Sequence, residues 1–74
     1  MSPEDFHVNE LLNLGRKIVN NYGVEKQLVN YPCFHADVDF FLNLMDSADY
    51  PLPEELKEMA KVIRNEISPL CRQF

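Results

Sequence analysis

Only one stretch of this chain carries strand periodicity, and that confines the fold more than any other feature. From 33 to 40, Phe34, Ala36, Val38 and Phe40 alternate with Cys33, His35, Asp37 and Asp39. A strand needs a partner for its backbone N–H and C=O groups, and no second segment offers one. The alternation also breaks at once, in Phe41-Leu42-Asn43-Leu44-Met45. At helical spacing Phe34, Val38, Phe41 and Met45 fall on one line. We therefore read residues 33–48 as a helix, with an extended segment as the alternative, and the chain as all-α.

The prolines and glycines divide the remainder. Ser2-Pro3-Glu4-Asp5 opens a helix: Ser2 can cap it, Asp5 can answer three residues on, and Pro3 suits the first helical position. Val8, Leu11, Leu12, Ile18, Val19 and Tyr22 then recur at helical spacing. Gly15 lies within that stripe, where it costs about 1 kcal/mol against Ala. Its expected reason is the close approach of another helix or a large ring such as Phe. Gly23 is expected to end the helix in a left-handed conformation. Val24 to Asn30 reads as one or two helical turns, with Leu28 and Val29 reaching the core, ended by Tyr31-Pro32. After a turn-rich loop over 46–52, Pro53-Glu54-Glu55 starts a last helix whose stripe is Leu56, Met59, Ala60, Ile63, Ile67 and Leu70. Glu54 with Lys57, and Glu58 with Lys61, are spaced for surface pairs. Pro69 is expected to kink or end that helix, leaving Leu70 to Phe74 as a separate turn. The expected architecture is a compact bundle of three main helices plus one short helix, a single domain over residues 1–74.

A chain of 74 residues is near the lower limit for unaided folding, since such domains bury only about 60% of their unfolded surface. Its 46% hydrophobic content nevertheless argues against disorder. The formal charge of −5 disfavours direct nucleic-acid binding and makes a basic protein patch the natural complement. No basic, apolar leader and no apolar run long enough to span a bilayer is visible, so a cytoplasmic protein without membrane contact is expected. Cys33 and Cys71 are too few and too far apart for a disulfide framework, and are read as free thiols.

No phosphate loop, nucleophile elbow, His-Glu-x-x-His or Cys-x-x-Cys motif occurs. We expect no enzyme and no cofactor. Cys33, His35, Asp37 and Asp39 are all metal-ligand types and would share a face on a strand. On a helix the same spacing scatters them, and paired zinc-type spacing is absent. The preferred reading is a helix N-terminus, with acids in its first turns complementing the dipole and His35 an ordinary surface residue. His7 is expected to be a partly buried packing residue, and Cys71 an unreactive thiol at the end of the core, despite its neighbour Arg72.

Two features exceed what a plain helical domain needs. At about 100° per residue, Phe34, Val38, Phe40, Phe41, Leu42, Leu44 and Met45, with Asp37 among them, sweep more than half of the third segment's circumference, whereas packing on one side needs little over 100°. Either that helix is central and covered on several sides, the reading we prefer, or part of its arc is an interface. Secondly, no Lys or Arg occurs between Lys26 and Lys57, a stretch rich in Asp, Glu and aromatic residues. Such interleaving suits a basic partner, with aromatic anchors supplying affinity and charge supplying steering. The expected function is a small acidic regulator or inhibitor that engages a basic surface of a larger protein through Asp39, Phe40, Leu44, Asp46, Asp49 and Tyr50. The alternatives are an obligate homodimeric structural or adaptor subunit, and a metal-binding module at Cys33, His35, Asp37 and Asp39.

Overall fold

The computed structural model describes residues 3–71. Helix α1 (Pro3–Val24) is followed by a 3-10 turn (Lys26–Asn30), α2 (Pro32–Ser47), α3 (Glu54–Val62), a π turn (Ile63–Ile67) and α4 (Ser68–Cys71). The last three join into one 18-residue helix. No strand occurs among the described residues, so the expected all-α bundle of three main helices and one short one is what forms. Among the described residues no helix is long and apolar enough to cross a membrane. The long axis of 37 Å follows from α1, whose 22 residues rise about 33 Å at ~1.5 Å each.

Local chemistry sets most boundaries. Pro3 is the first described helical residue, and Glu4 and Asp5 occupy the first turn of α1; the proposed Ser2 cap lies outside the described residues. Gly23 departs from expectation, because no glycine has a positive φ and the helix continues through it to Val24. The end comes instead at Glu25, which turns extended at φ −136° and ψ 99° while its N–H still reaches the Asn21 carbonyl at 2.8 Å. Lys26 then sets its ammonium 4.9 Å from the Tyr22 ring centroid, tying the 3-10 turn back to α1. Tyr31 is extended at φ −103° and ψ 131°, as its place before proline requires. Its carbonyl accepts from the N–H of Phe34 at 3.1 Å and of His35 at 3.2 Å, which starts α2 with Pro32 in its first turn.

Pro69 neither ends nor interrupts the last helix. Proline removes one donor and crowds the carbonyl four residues back. Just before it the backbone widens by a π turn, in which the Ser68 N–H bonds to the Ile63 carbonyl five residues earlier. The widening takes up the misfit, and the helix runs on to Cys71. Of the two expected surface pairs, Glu54 and Lys57 meet at 3.8 Å, while Glu58 and Lys61 form no ion pair among the described residues.

The core lies where the helices meet. Leu11 and Ile18 enter from α1, Phe34, Val38, Phe41 and Leu42 from α2, and Leu56, Ala60, Ile63, Ile67 and Cys71 from the C-terminal helix. Leu28 and Val29 pack against it from the 3-10 turn. The tightest approach is at Gly15: a Cβ there would stand 3.0 Å from Phe41 Cε2 and 3.1 Å from Met59 Cε. The glycine thus admits the expected aromatic ring, Phe41, from α2.

Candidate functional site

Helices α1 and α2 run antiparallel. Lys17 Nζ lies 3.9 Å from Asp37 Oδ2, Gly15 meets Phe41, and His7 shares a cavity with Ala48 to Tyr50 beyond the end of α2. Positions advancing along one helix therefore retreat along the other. On one flank of this seam an open trough remains. Its first part, about 310 Å³, is lined by His7, Glu10 and Leu11 of α1, Phe40, Leu44 and Ser47 of α2, and Ala48, Asp49 and Tyr50 of the loop after it. Its second part, about 360 Å³, is lined by Glu10, Asn13, Leu14, Lys17, Phe40 and Leu44. Glu10, Phe40 and Leu44 belong to both, so the two hollows adjoin along these residues.

The geometry of α2 explains why the trough stays open. Phe34, Val38, Phe41 and Leu42 are its buried residues, and they take up the arc facing α1 and the C-terminal helix. Phe40 projects past that arc and remains 59% exposed. Leu44 and Met45 pack against the core as well, so most of the apolar arc is covered, as the preferred central reading expects, and Phe40 is the part left exposed. Ser47 fixes the end of the helix, its hydroxyl donating to the Leu44 carbonyl at 3.2 Å, which fills one otherwise unpaired acceptor of the last turn.

Four of the expected contact residues, Phe40, Leu44, Asp49 and Tyr50, come together in this trough. Asp39 and Asp46 do not line it. Asp39 is exposed on α2. Asp46 is engaged by Arg64, whose guanidinium donates to its carboxylate at 2.7 Å. The α1 wall was not anticipated. His7, Glu10, Leu14 and Lys17 recur at helical spacing beside the core stripe, and that periodicity is the signal that marks them. His7 is exposed rather than partly buried, with its ring 6.2 Å from that of Phe6.

The acid-rich, base-free stretch is not bare in three dimensions. Asp37 faces Lys17, Asp46 faces Arg64, Glu54 faces Lys57, and Glu55 accepts from the Arg16 guanidinium at 2.7 Å. Asp39 and Asp49 make no ion pair among the described residues, and neither does Glu10 on the trough wall. Three carboxylates without an ion pair thus lie on or beside the trough, Asp39 on Phe40's own turn, Glu10 on its wall and Asp49 at the His7–Tyr50 end, while Lys17 marks the opposite end.

The four residues considered for a metal do not converge. Asp37 and Asp39 lie beyond the first turn of α2, which holds no acid, so the dipole does not account for them. His35 is half-buried rather than an ordinary surface residue, and its Nε2 bonds to the Val29 carbonyl. A carbonyl only accepts, so Nε2 carries the hydrogen and the ring clasps the 3-10 turn to α2. No group of three His, Cys, Asp or Glu side chains among the described residues could hold a metal ion. Cys33 is an exposed free thiol and Cys71 a buried one. Burial, and secondly the negative charge of Asp39, push the Cys71 thiol above its ordinary value, which makes it a poor nucleophile. No family model, no curated protein and no solved structure matches this chain, so the functional reading comes from the chemistry of the trough.

Proposed function

We propose that this chain is a small, acidic, non-enzymatic binding protein that regulates or inhibits a larger partner by docking a basic surface of it into the α1–α2 trough. The observation that carries the reading is Phe40. It stands 59% exposed in a depression it shares with Leu44 and Tyr50, beside the uncompensated carboxylates of Glu10 and Asp49. An exposed aromatic anchor in an apolar hollow, bordered by charge of one sign, combines a source of affinity with a source of steering. Asp39 adds negative charge next to the anchor. Asp46, held by Arg64, contributes less than its position in the sequence suggests.

The test is co-purification of the tagged chain from its native cell alongside Phe40→Asp and Asp49→Lys variants. Both positions are exposed, so both variants keep the core. The expected result is one partner recovered in stoichiometric amount with the unaltered chain and lost with Phe40→Asp. Equal recovery with both variants rules the trough out as the contact. The exposed ring also suits a second copy of the chain as occupant, as in an obligate homodimer. Light scattering at micromolar concentration separates the two: a dimer that dissociates on Phe40→Asp favours the second copy, and a monomer removes it.

A further inference from the structure

We infer that the occupant of the trough is an amphipathic helix of about three turns, carrying Lys or Arg at the end that lies over Asp49. This rests on the trough being the contact surface and goes on to name what fills it.

The shape sets the length. The α1 wall runs from His7 to Lys17, which is about 15 Å at ~1.5 Å per residue. An occupant helix laid along the seam would therefore span ~10–12 residues. Its apolar stripe, at i, i+3 or i+4 and i+7, would meet the stripe already presented by Leu14, Phe40 and Leu44, as helices do in apolar grooves.

Charge sets the class and the direction. At one end Asp49, which lines only the first hollow, has no ion-pair partner among the described residues, and Glu10, which borders both hollows, has none either. At the other end stands Lys17, which keeps a long contact of 3.9 Å to Asp37. A basic residue over the first end gains the Asp49 carboxylate, with Glu10 alongside, whereas one over Lys17 meets a like charge, and like-charge juxtaposition opposes docking. The trough is thus polar along its length, and one orientation of a basic helix is favoured. Apart from the Ala48–Tyr50 loop, the backbone around it belongs to helices, so it offers no sheet edge to an extended peptide.

The probe is a displayed library of helical peptides of about twelve residues, selected on the intact chain. Enriched sequences are expected to carry the apolar stripe with Lys or Arg at one end. They should bind about tenfold more weakly to Asp49→Lys or Glu10→Lys, and not detectably to Phe40→Asp. Enrichment that needs Phe40 but shows no basic bias overturns the inference while leaving the trough as the contact surface. Enrichment of extended or proline-rich peptides at the trough, or no enrichment, also overturns it. Peptides indifferent to Phe40→Asp remove the inference and the contact surface together.

Discussion

Gly15→Ala sets two well-characterised effects against each other, and the structure decides between them. Alanine in a helix interior gains about 1 kcal/mol over glycine. The new methyl, however, would lie 3.0 Å and 3.3 Å from two ring carbons of Phe41 and 3.1 Å from the terminal methyl of Met59. Met59 can swing its end away at little cost. Phe41 cannot, because its ring is 0% exposed and is hemmed in by the rest of the core. Overpacking of this kind costs about 1–3 kcal/mol, so the net expectation is a loss of up to about 2 kcal/mol. Gly23 supplies the control. It lies in the same helix with nothing within 4 Å of a built Cβ and no positive φ, so Gly23→Ala should gain about 0.4–1 kcal/mol. Urea unfolding reads both as shifts of midpoint at constant slope. If Gly15→Ala stabilises as much as Gly23→Ala, the packing of Phe41 on α1 is wrong. The double variant Gly15→Ala with Phe41→Leu adds a check, since relieving the crowding should give a coupling energy of about 0.5–3 kcal/mol.

His35→Ala should cost about 0.5–1.5 kcal/mol by freeing the Val29 carbonyl. Amide exchange should then speed up in the Lys26–Asn30 turn, and unchanged exchange there would show that the ring does not clasp it. For the thiols, alkylation should modify exposed Cys33 at once and reach Cys71 only as the chain unfolds. Burial and Asp39 raise the Cys71 thiol above the ordinary 9.0, so the folded state holds this proton more tightly than the unfolded one. The associated stability is fully present below pH 9 and fades as pH rises through the folded value. Thiolate absorbance of a Cys33→Ser variant measures this directly, and a titration at or below the ordinary value would contradict it.

Much of the fold was legible because local rules and packing agree. The line Phe34, Val38, Phe41 predicted the buried face of α2, and Gly15 announced the ring that sits against it. What stayed hidden depends on neighbours that only folding supplies. Pro69 breaks an ideal α-helix, and nothing local shows that a π turn ending two residues earlier absorbs it. His35 looked like a surface residue because its acceptor, Val29, belongs to another element. The base-free stretch suggested a uniformly acidic face, yet Lys17, Arg16 and Arg64 reach Asp37, Glu55 and Asp46 from other helices. Sequence distance hides such pairs, and on an exposed surface they are worth only about 0–1 kcal/mol each. They redistribute charge more than they stabilise.

The neighbours Phe40 and Phe41 separate the demands of folding from those of recognition. Phe41 is 0% exposed and Phe40 59%, although the same backbone carries both. Truncating a core Phe costs about 3–5 kcal/mol, whereas surface substitutions usually fall within about 0.5 kcal/mol. Stability therefore constrains position 41 tightly and position 40 hardly at all. A polar residue at 40 would serve the fold as well and would remove an adhesive patch. A lone exposed aromatic on a small protein is ordinary. Phe40 is not alone: it shares its hollow with Leu44 and Tyr50, and that hollow is bordered by Glu10 and Asp49. Stability does not require such a residue, and the proposed function is what gives it a role.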